Sequence, residues 1–335
     1  MQVDKKVVIT NYELFGQVEN EKKVMEEHNI KLEAYQCKNE EDMIRVVKDA
    51  DGVIVPQYLP LPRRVIEAMN KCQVIVTYSI GVDHIDMKAV TEQGICVANV
   101  PDYCVDEVSN HAIALIMALY RHLKTLDRGI RKMKWGYGEI RPIKRLAMNK
   151  LGIVALGRIG REIARKMKPS VAEILGFDPY LPKEMAEQLG IKLVSLEELL
   201  KESDIITLHA PLTEETYHMI STKELKMMKD TAILVNVARG GLIDENSLCQ
   251  ALKEGWIGGA GLDVFEEEPI TANDPLLILD KDSLIITPHV AWYSEESLTD
   301  LQRKAAEEVV RVLVERKFPK ALVNKGVKPK ANLIA

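Results

Sequence analysis

Leu151-Gly152-Ile153-Val154-Ala155-Leu156-Gly157-Arg158-Ile159-Gly160 reads as an apolar strand that turns through glycine into a helix. Ile159, Ile163 and Met167 follow at four-residue spacing, the stripe of a helix packed on a sheet. In such a loop Gly157 lets the backbone approach a pyrophosphate, and Gly160 allows helix and strand to pack closely. The first turn of the helix offers unpaired N–H groups to an anion. The usual fingerprint is G-x-G-x-x-G. Its first glycine is replaced here by Ala155, which is tolerated if the turn keeps φ negative. The next apolar run, Ile174-Leu175-Gly176-Phe177, ends in Asp178, about 20 residues beyond Gly157, where a carboxylate accepts hydrogen bonds from an adenosine ribose. A carboxylate there repels a 2′-phosphate, and Pro179 and Tyr180 bring no cation to offset it. The unit is expected to take NAD rather than NADP.

The alternation of strand and helix extends over the whole chain. Short runs rich in β-branched residues fall at 6–10, 52–55, 74–77 and 96–100, and again at 151–156, 174–177, 204–208, 232–237, 260–264 and 284–287. Most are continuously apolar, as strands buried on both faces are, and helical stretches separate them. The pattern predicts α/β architecture with parallel sheets. With 335 residues there is material for two domains, the first ending near Val100 and the second beginning near Pro101. A final helix is expected at about 301–316. Between Arg121 and Lys150 lies a basic, helix-biased stretch containing Trp135, either a solvated helix and loop or an arm that wraps a second subunit.

Composition narrows the function. Hydrophobic residues at 47% and charged residues at 28% are the balance of a globular domain, not a disordered one. A net charge of −5 argues against nucleic acid or an anionic membrane as partner. The longest apolar run, 112–120, is half a bilayer span, and the first six residues lack the core of a signal peptide. Cys37, Cys72, Cys96, Cys104 and Cys249 are odd in number and show no C-x-x-C spacing, so neither a metal cluster nor a disulfide framework is expected. A cytoplasmic location follows from that reading. His28, His84, His111, His122 and His218 show no ligand spacing and receive no role.

Three ionisable residues stand just past later strands: Arg239, followed by two glycines; Glu268, in Phe265-Glu266-Glu267-Glu268-Pro269; and His289, in Thr287-Pro288-His289. Ligands of open α/β sheets bind outside the carboxyl ends of the strands, so the three can converge on one crevice. A guanidinium holds a carboxylate with two parallel hydrogen bonds. An imidazole exchanges a proton near neutral pH, and a carboxylate on its other nitrogen favours the protonated ring. Together they point to hydride transfer coupled to proton transfer at a carbonyl.

Over nearly its full length the chain resembles the D-isomer-specific 2-hydroxyacid dehydrogenases. The likeness is carried by Gly81-Val82-Asp83-His84-Ile85-Asp86, the 155–160 loop, Asp178-Pro179-Tyr180, Leu208-His209-Ala210-Pro211-Leu212-Thr213, and the stretches 235–244, 261–269 and 287–289. Within the family it looks closest to the group of the C-terminal-binding-protein corepressors, through 288–295 and 105–108. That leaves an NAD(H)-sensing binding protein as the alternative to an enzyme.

The resemblance implies two Rossmann-like parallel-sheet domains. A flavodoxin-like substrate domain is formed by 1–100 with 290–335, and an NAD-binding domain by 101–289. The arm, about 121–150, would serve a homodimer. Arg239 would bind the substrate carboxylate and keto oxygen, His289 would be the acid/base and Glu268 its partner. The amides of Ile80 and Gly81 would help hold the carboxylate. Gly157, Arg158, Ile159 and Gly160 would meet the pyrophosphate, Asp178 the ribose, and Asp263 the nicotinamide carboxamide, with His209, Pro211, Val237 and Ala238 also along the cofactor. Tyr58 and Trp292 either wall a substrate side chain or pack between domains. Formate dehydrogenases carry Gln at the place of Glu268, and phosphite dehydrogenase a Lys at that of Ile80, which counts against both substrates. A phosphorylated substrate is disfavoured because 56–62 contains no Arg, although Arg63 and Arg64 are near.

Overall fold

The computed structural model describes residues 5–57, 59–140, 143–279 and 281–334. The chain divides into two compact units, Met1–Cys104 with Ser294–Ala335, and Val105–Tyr293.

The first unit is built on five parallel strands, β1 (Lys5–Ile9), β2 (Ile30–Ala34), β3 (Gly52–Val55), β4 (Val74–Thr77) and β5 (Cys96–Ala98), in the order β2-β1-β3-β4-β5. This is the flavodoxin-like order, and β3, β4 and β5 are buried along their whole length. The last helix of the chain, Glu295–Leu313, belongs to this unit and starts six residues earlier than the apolar pattern suggests. Ser294 is the reason: its hydroxyl caps the amide of Ser297, and Ser297 returns a bond to the amide of Ser294.

The second unit carries seven strands, β6 (Lys150–Val154), β7 (Glu173–Phe177), β8 (Lys192–Leu193), β9 (Ile205–Leu208), β10 (Ile233–Asn236), β11 (Gly259–Leu262) and β12 (Leu284–Ile286). Their order, β12-β11-β10-β9-β6-β7-β8, reverses between β6 and β9, the switch point where doubly wound sheets bind ligands. Helix Val105–Tyr120 buries Val108, Ala112, Leu115 and Leu119, one stripe of the 3.6-residue period. Each buried leucine stabilises the packing by about 2 kcal/mol. A Cβ on Gly261 of β11 would stand 3.1 Å from Leu115, so this helix lies directly over the strand that leads into the site.

Among the described residues no helix is long and apolar enough to cross a membrane, and no group of three His, Cys, Asp or Glu side chains is arranged to hold a metal.

Candidate active site

The glycine loop joins β6 to helix Arg158–Met167. Gly157 occupies the cap position and brings no side chain to accept from the first turn. A Cβ at Gly157 would meet nothing within 4 Å, so the backbone faces open space there. At Gly160 the opposite holds: a Cβ would stand 2.3 Å from the carbonyl oxygen of Ala155. Helix and strand therefore pack as closely as backbone allows. Ala155 departs from expectation, because its φ is +67° rather than negative. The turn keeps the left-handed geometry of the missing glycine, and the methyl carries a strain of about 1–2 kcal/mol. The amide of Ala155 donates to the Phe177 carbonyl at 2.8 Å, which holds the turn in place.

Asp178 follows β7. One of its oxygens accepts from the amide of Leu156 at 2.8 Å and the other from the amide of Tyr180 at 2.8 Å. Its carboxylate thus ties the end of β7 to the glycine loop. Arg158 is exposed and Ile159 half-buried at the first helical turn. These features fit a dinucleotide: an uncapped helix start, an open glycine and an acidic residue bonded to the loop. His209, after β9, bonds Thr207 Oγ1 through Nε2 at 2.8 Å, and burial pushes it down to about 3, so its ring is neutral. Pro211 beside it is exposed, Val237 is buried and Ala238 half-buried.

Arg239 leaves β10 through a turn governed by Asn236, which is 1% exposed. The Asn236 amide donates to the Arg239 carbonyl at 2.8 Å, and its oxygen accepts from the Ala238 amide at 3.0 Å. Gly240 then passes against the loop after β11 so tightly that a Cβ would lie 1.8 Å from the carbonyl carbon of Phe265. That contact brings the Arg239 turn beside the loop bearing Glu268. One oxygen of Glu268 accepts from the amide of Phe265 at 2.9 Å; the other meets His289 Nδ1 at 2.6 Å. Burial would raise the Glu268 carboxyl. The bond to His289, the charge of that ring, the Phe265 amide and the charge of Arg239 outweigh it and hold the group below the usual carboxylate range.

His289 itself has φ +54°. Its amide donates to the Asp263 carbonyl at 2.8 Å, and its own carbonyl accepts from Trp292 Nε1 at 3.1 Å. Asp263 is fully buried, with one oxygen accepting from Thr287 Oγ1 at 2.5 Å and Val290 N at 3.0 Å, the other from Ala291 N at 2.8 Å. Beside the site, Glu245 and Glu266 exchange backbone-to-carboxylate hydrogen bonds, and His218 meets Glu266 at 2.8 Å. Burial, with Asp274, Glu266 and Glu268 nearby, pushes Glu245 up to about 7.

In the other unit, Asn99 holds the Ile80 carbonyl at 2.6 Å and Ser79 Oγ the Gly81 carbonyl at 2.6 Å. A trans peptide with its carbonyl so held turns the Gly81 N–H to the opposite side. Tyr58 lies outside the described residues. Asn236, Asn99 and Thr287 have roles that the sequence does not announce. Asn236 left a trace, as the polar residue that closes an apolar strand.

Residues 113–291 match the family described as D-isomer specific 2-hydroxyacid dehydrogenase, NAD binding domain. A glyoxylate reductase of Korarchaeum cryptofilum is 41% identical over 289 residues, which cover 85% of this chain and 86% of that protein. The chain belongs to the D-isomer specific 2-hydroxyacid dehydrogenase family. This dehydrogenase is also 42% identical to a D-3-phosphoglycerate dehydrogenase of Methanocaldococcus jannaschii, over 82% of its own length and 52% of that protein's; it spans about half of that relative. Among solved structures, the D-lactate dehydrogenase from Aquifex aeolicus, complexed with NAD and lactic acid, superposes with a TM-score of 0.81 at 30% identity, covering 92% of this chain and 95% of the other. The dehydrogenase is thus an enzyme, an oxidoreductase with an NAD-binding domain.

Its relatives here are glyoxylate reductases and phosphoglycerate dehydrogenases, not corepressors, and the nearness to the C-terminal-binding-protein group is corrected accordingly. That nearness was read from 288–295 and 105–108, segments too short to set one subgroup apart from the rest of the family. In the structure 288–292 form a turn bound by Asp263 and closed by the Trp292 Nε1 bond to the His289 carbonyl.

Proposed function

We propose that this chain reduces a small 2-oxo acid, glyoxylate first among them, to the 2-hydroxy acid with NADH, and runs the reverse reaction on the D-hydroxy acid. The observation that carries the reading is the 2.6 Å bond between His289 Nδ1 and Glu268, with Gly240, the residue after Arg239, packed against the loop that bears Glu268. Because Nδ1 is taken by the carboxylate, Nε2 is the nitrogen presented to substrate. Bound NADH supplies a hydride to the keto carbon. Arg239 holds the carboxylate through its fork and polarises the keto oxygen, His289 gives that oxygen its proton from Nε2, and Glu268 stabilises the ring while it is charged. The amides of Ile80 and Gly81 share the carboxylate, and Trp292 borders the substrate.

Gly157, Arg158, Ile159 and Gly160 are assigned to the pyrophosphate and Asp178 to the ribose. His209, Pro211, Val237, Ala238 and Asp263 are placed toward the nicotinamide half. A phosphorylated substrate fits less well, since Arg63 is paired with Glu92 at 2.7 Å and Arg64 with Glu41 at 2.7 Å. The arm is assigned to a homodimer. Helix Leu123–Arg131 buries no residue, and Met133 and Trp135 are 91% and 93% exposed, so this apolar set calls for a cover.

A panel of 2-oxo acids assayed by NADH consumption tests the reading. Turnover of glyoxylate and other small 2-oxo acids, in preference to phosphorylated ones, is expected. Tight NADH binding with no turnover across the panel would overturn it in favour of a sensor.

A further inference from the structure

His111 lies on helix Val105–Tyr120, and its Nε2 stands 3.0 Å from Thr287 Oγ1 and 3.7 Å from Asp263 Oδ1. The Thr287 hydroxyl has one proton, and the 2.5 Å contact with Asp263 Oδ1 claims it. That carboxylate oxygen also receives the Val290 amide, so it acts as acceptor toward both. The hydroxyl can then meet His111 only by accepting, which places a proton on His111 Nε2. The result is a directed chain, His111 Nε2–H to Thr287 Oγ1–H to Asp263, ending on a buried residue that grips the turn on either side of His289. Asp263 takes the His289 amide on its carbonyl and the Val290 and Ala291 amides on its side chain. A turn with φ of +54° at His289 needs such a hold.

We infer that His111 and Thr287 are positioning residues for proton transfer, acting through Asp263 to keep the His289 ring aimed at substrate. The inference rests on the reading of His289 as the acid. Neither residue touches substrate. Loss of the chain lets the turn relax, and a misplacement on the order of 1 Å lowers catalysis by up to about a hundredfold.

The test compares His111→Leu and Thr287→Val with the conservative His111→Gln and Thr287→Ser in the full-length protein. Gln retains an N–H donor and Ser retains the hydroxyl. For the first pair kcat should fall by about ten- to a hundredfold, with KM for NADH within about twofold. The second pair should return to within about threefold of the parent. Unchanged kcat in His111→Leu and Thr287→Val overturns the inference. So does equal impairment of the conservative variants, which would mark a packing role. A His289→Gln control separates the two claims: if it too keeps full turnover, the acid assignment has failed; if it alone collapses, only the positioning chain has.

Discussion

His289 and Ala155 both hold positive φ without being glycine, one at the proposed proton donor and the other in the glycine loop. Such backbone costs about 1–2 kcal/mol per residue and persists only where surrounding bonds outweigh it. Asp263 provides those bonds for His289, and the Phe177 carbonyl does so for Ala155. In the proposed reaction Arg239 is the residue whose shape matters most, since its fork and not its charge alone fits a carboxylate. Arg239→Lys should raise KM for the 2-oxo acid about tenfold or more while leaving NADH affinity unchanged. Steady-state kinetics with glyoxylate decide, and an unaltered KM removes Arg239 from the carboxylate. Arg239, Glu268 and His289 were legible as a set because each ends a strand-like run. The sign of φ at Ala155 was not, since a loop's conformation answers to the carbonyls that receive its amides. His111 was passed over for the same reason, because its partner Thr287 lies far along the chain and only the fold makes them neighbours.

Elements bring these residues together through backbone contact. Gly240 and Phe265 belong to the loops after β10 and β11, and the space between them excludes even a methyl group. Gly240→Ala should therefore destabilise by about 1–3 kcal/mol and part Arg239 from Glu268. Thermal unfolding and kcat should drop together, and a variant with parental values would show that the loops do not need this approach. Helix Glu245–Glu254 opens on the Glu245 carboxyl, which titrates near 7 in the folded chain against 4.5 for an ordinary glutamate. The folded form holds that proton more tightly. The group's penalty is thus absent below about pH 4.5, grows as pH rises and is complete above about 7. Glu245→Gln, which keeps an acceptor for the Glu266 amide, should gain melting temperature over the parent between about pH 5 and pH 8. An equal offset at both ends would contradict the shift. Ten of the strands could be read from apolar runs. β2 and β8 could not: Ile30–Ala34 alternates polar and apolar at a sheet edge, and Lys192–Leu193 is too short to show a period.

At the scale of the whole molecule, the exposed side chains of Met133 and Trp135 describe a surface a lone chain has little reason to keep. Sedimentation should find a dimer, and Trp135→Ser should weaken it by about tenfold or more, as loss of a buried aromatic anchor does. A monomer, or a dimer indifferent to the change, would refute the arm. The central claim concerns the proton, and turnover by the intact enzyme tests it most directly. His289→Gln should lower kcat for glyoxylate reduction by ~10²–10⁴ while NADH binds as before. A variant that turns over within a few-fold of the parent would contradict the account.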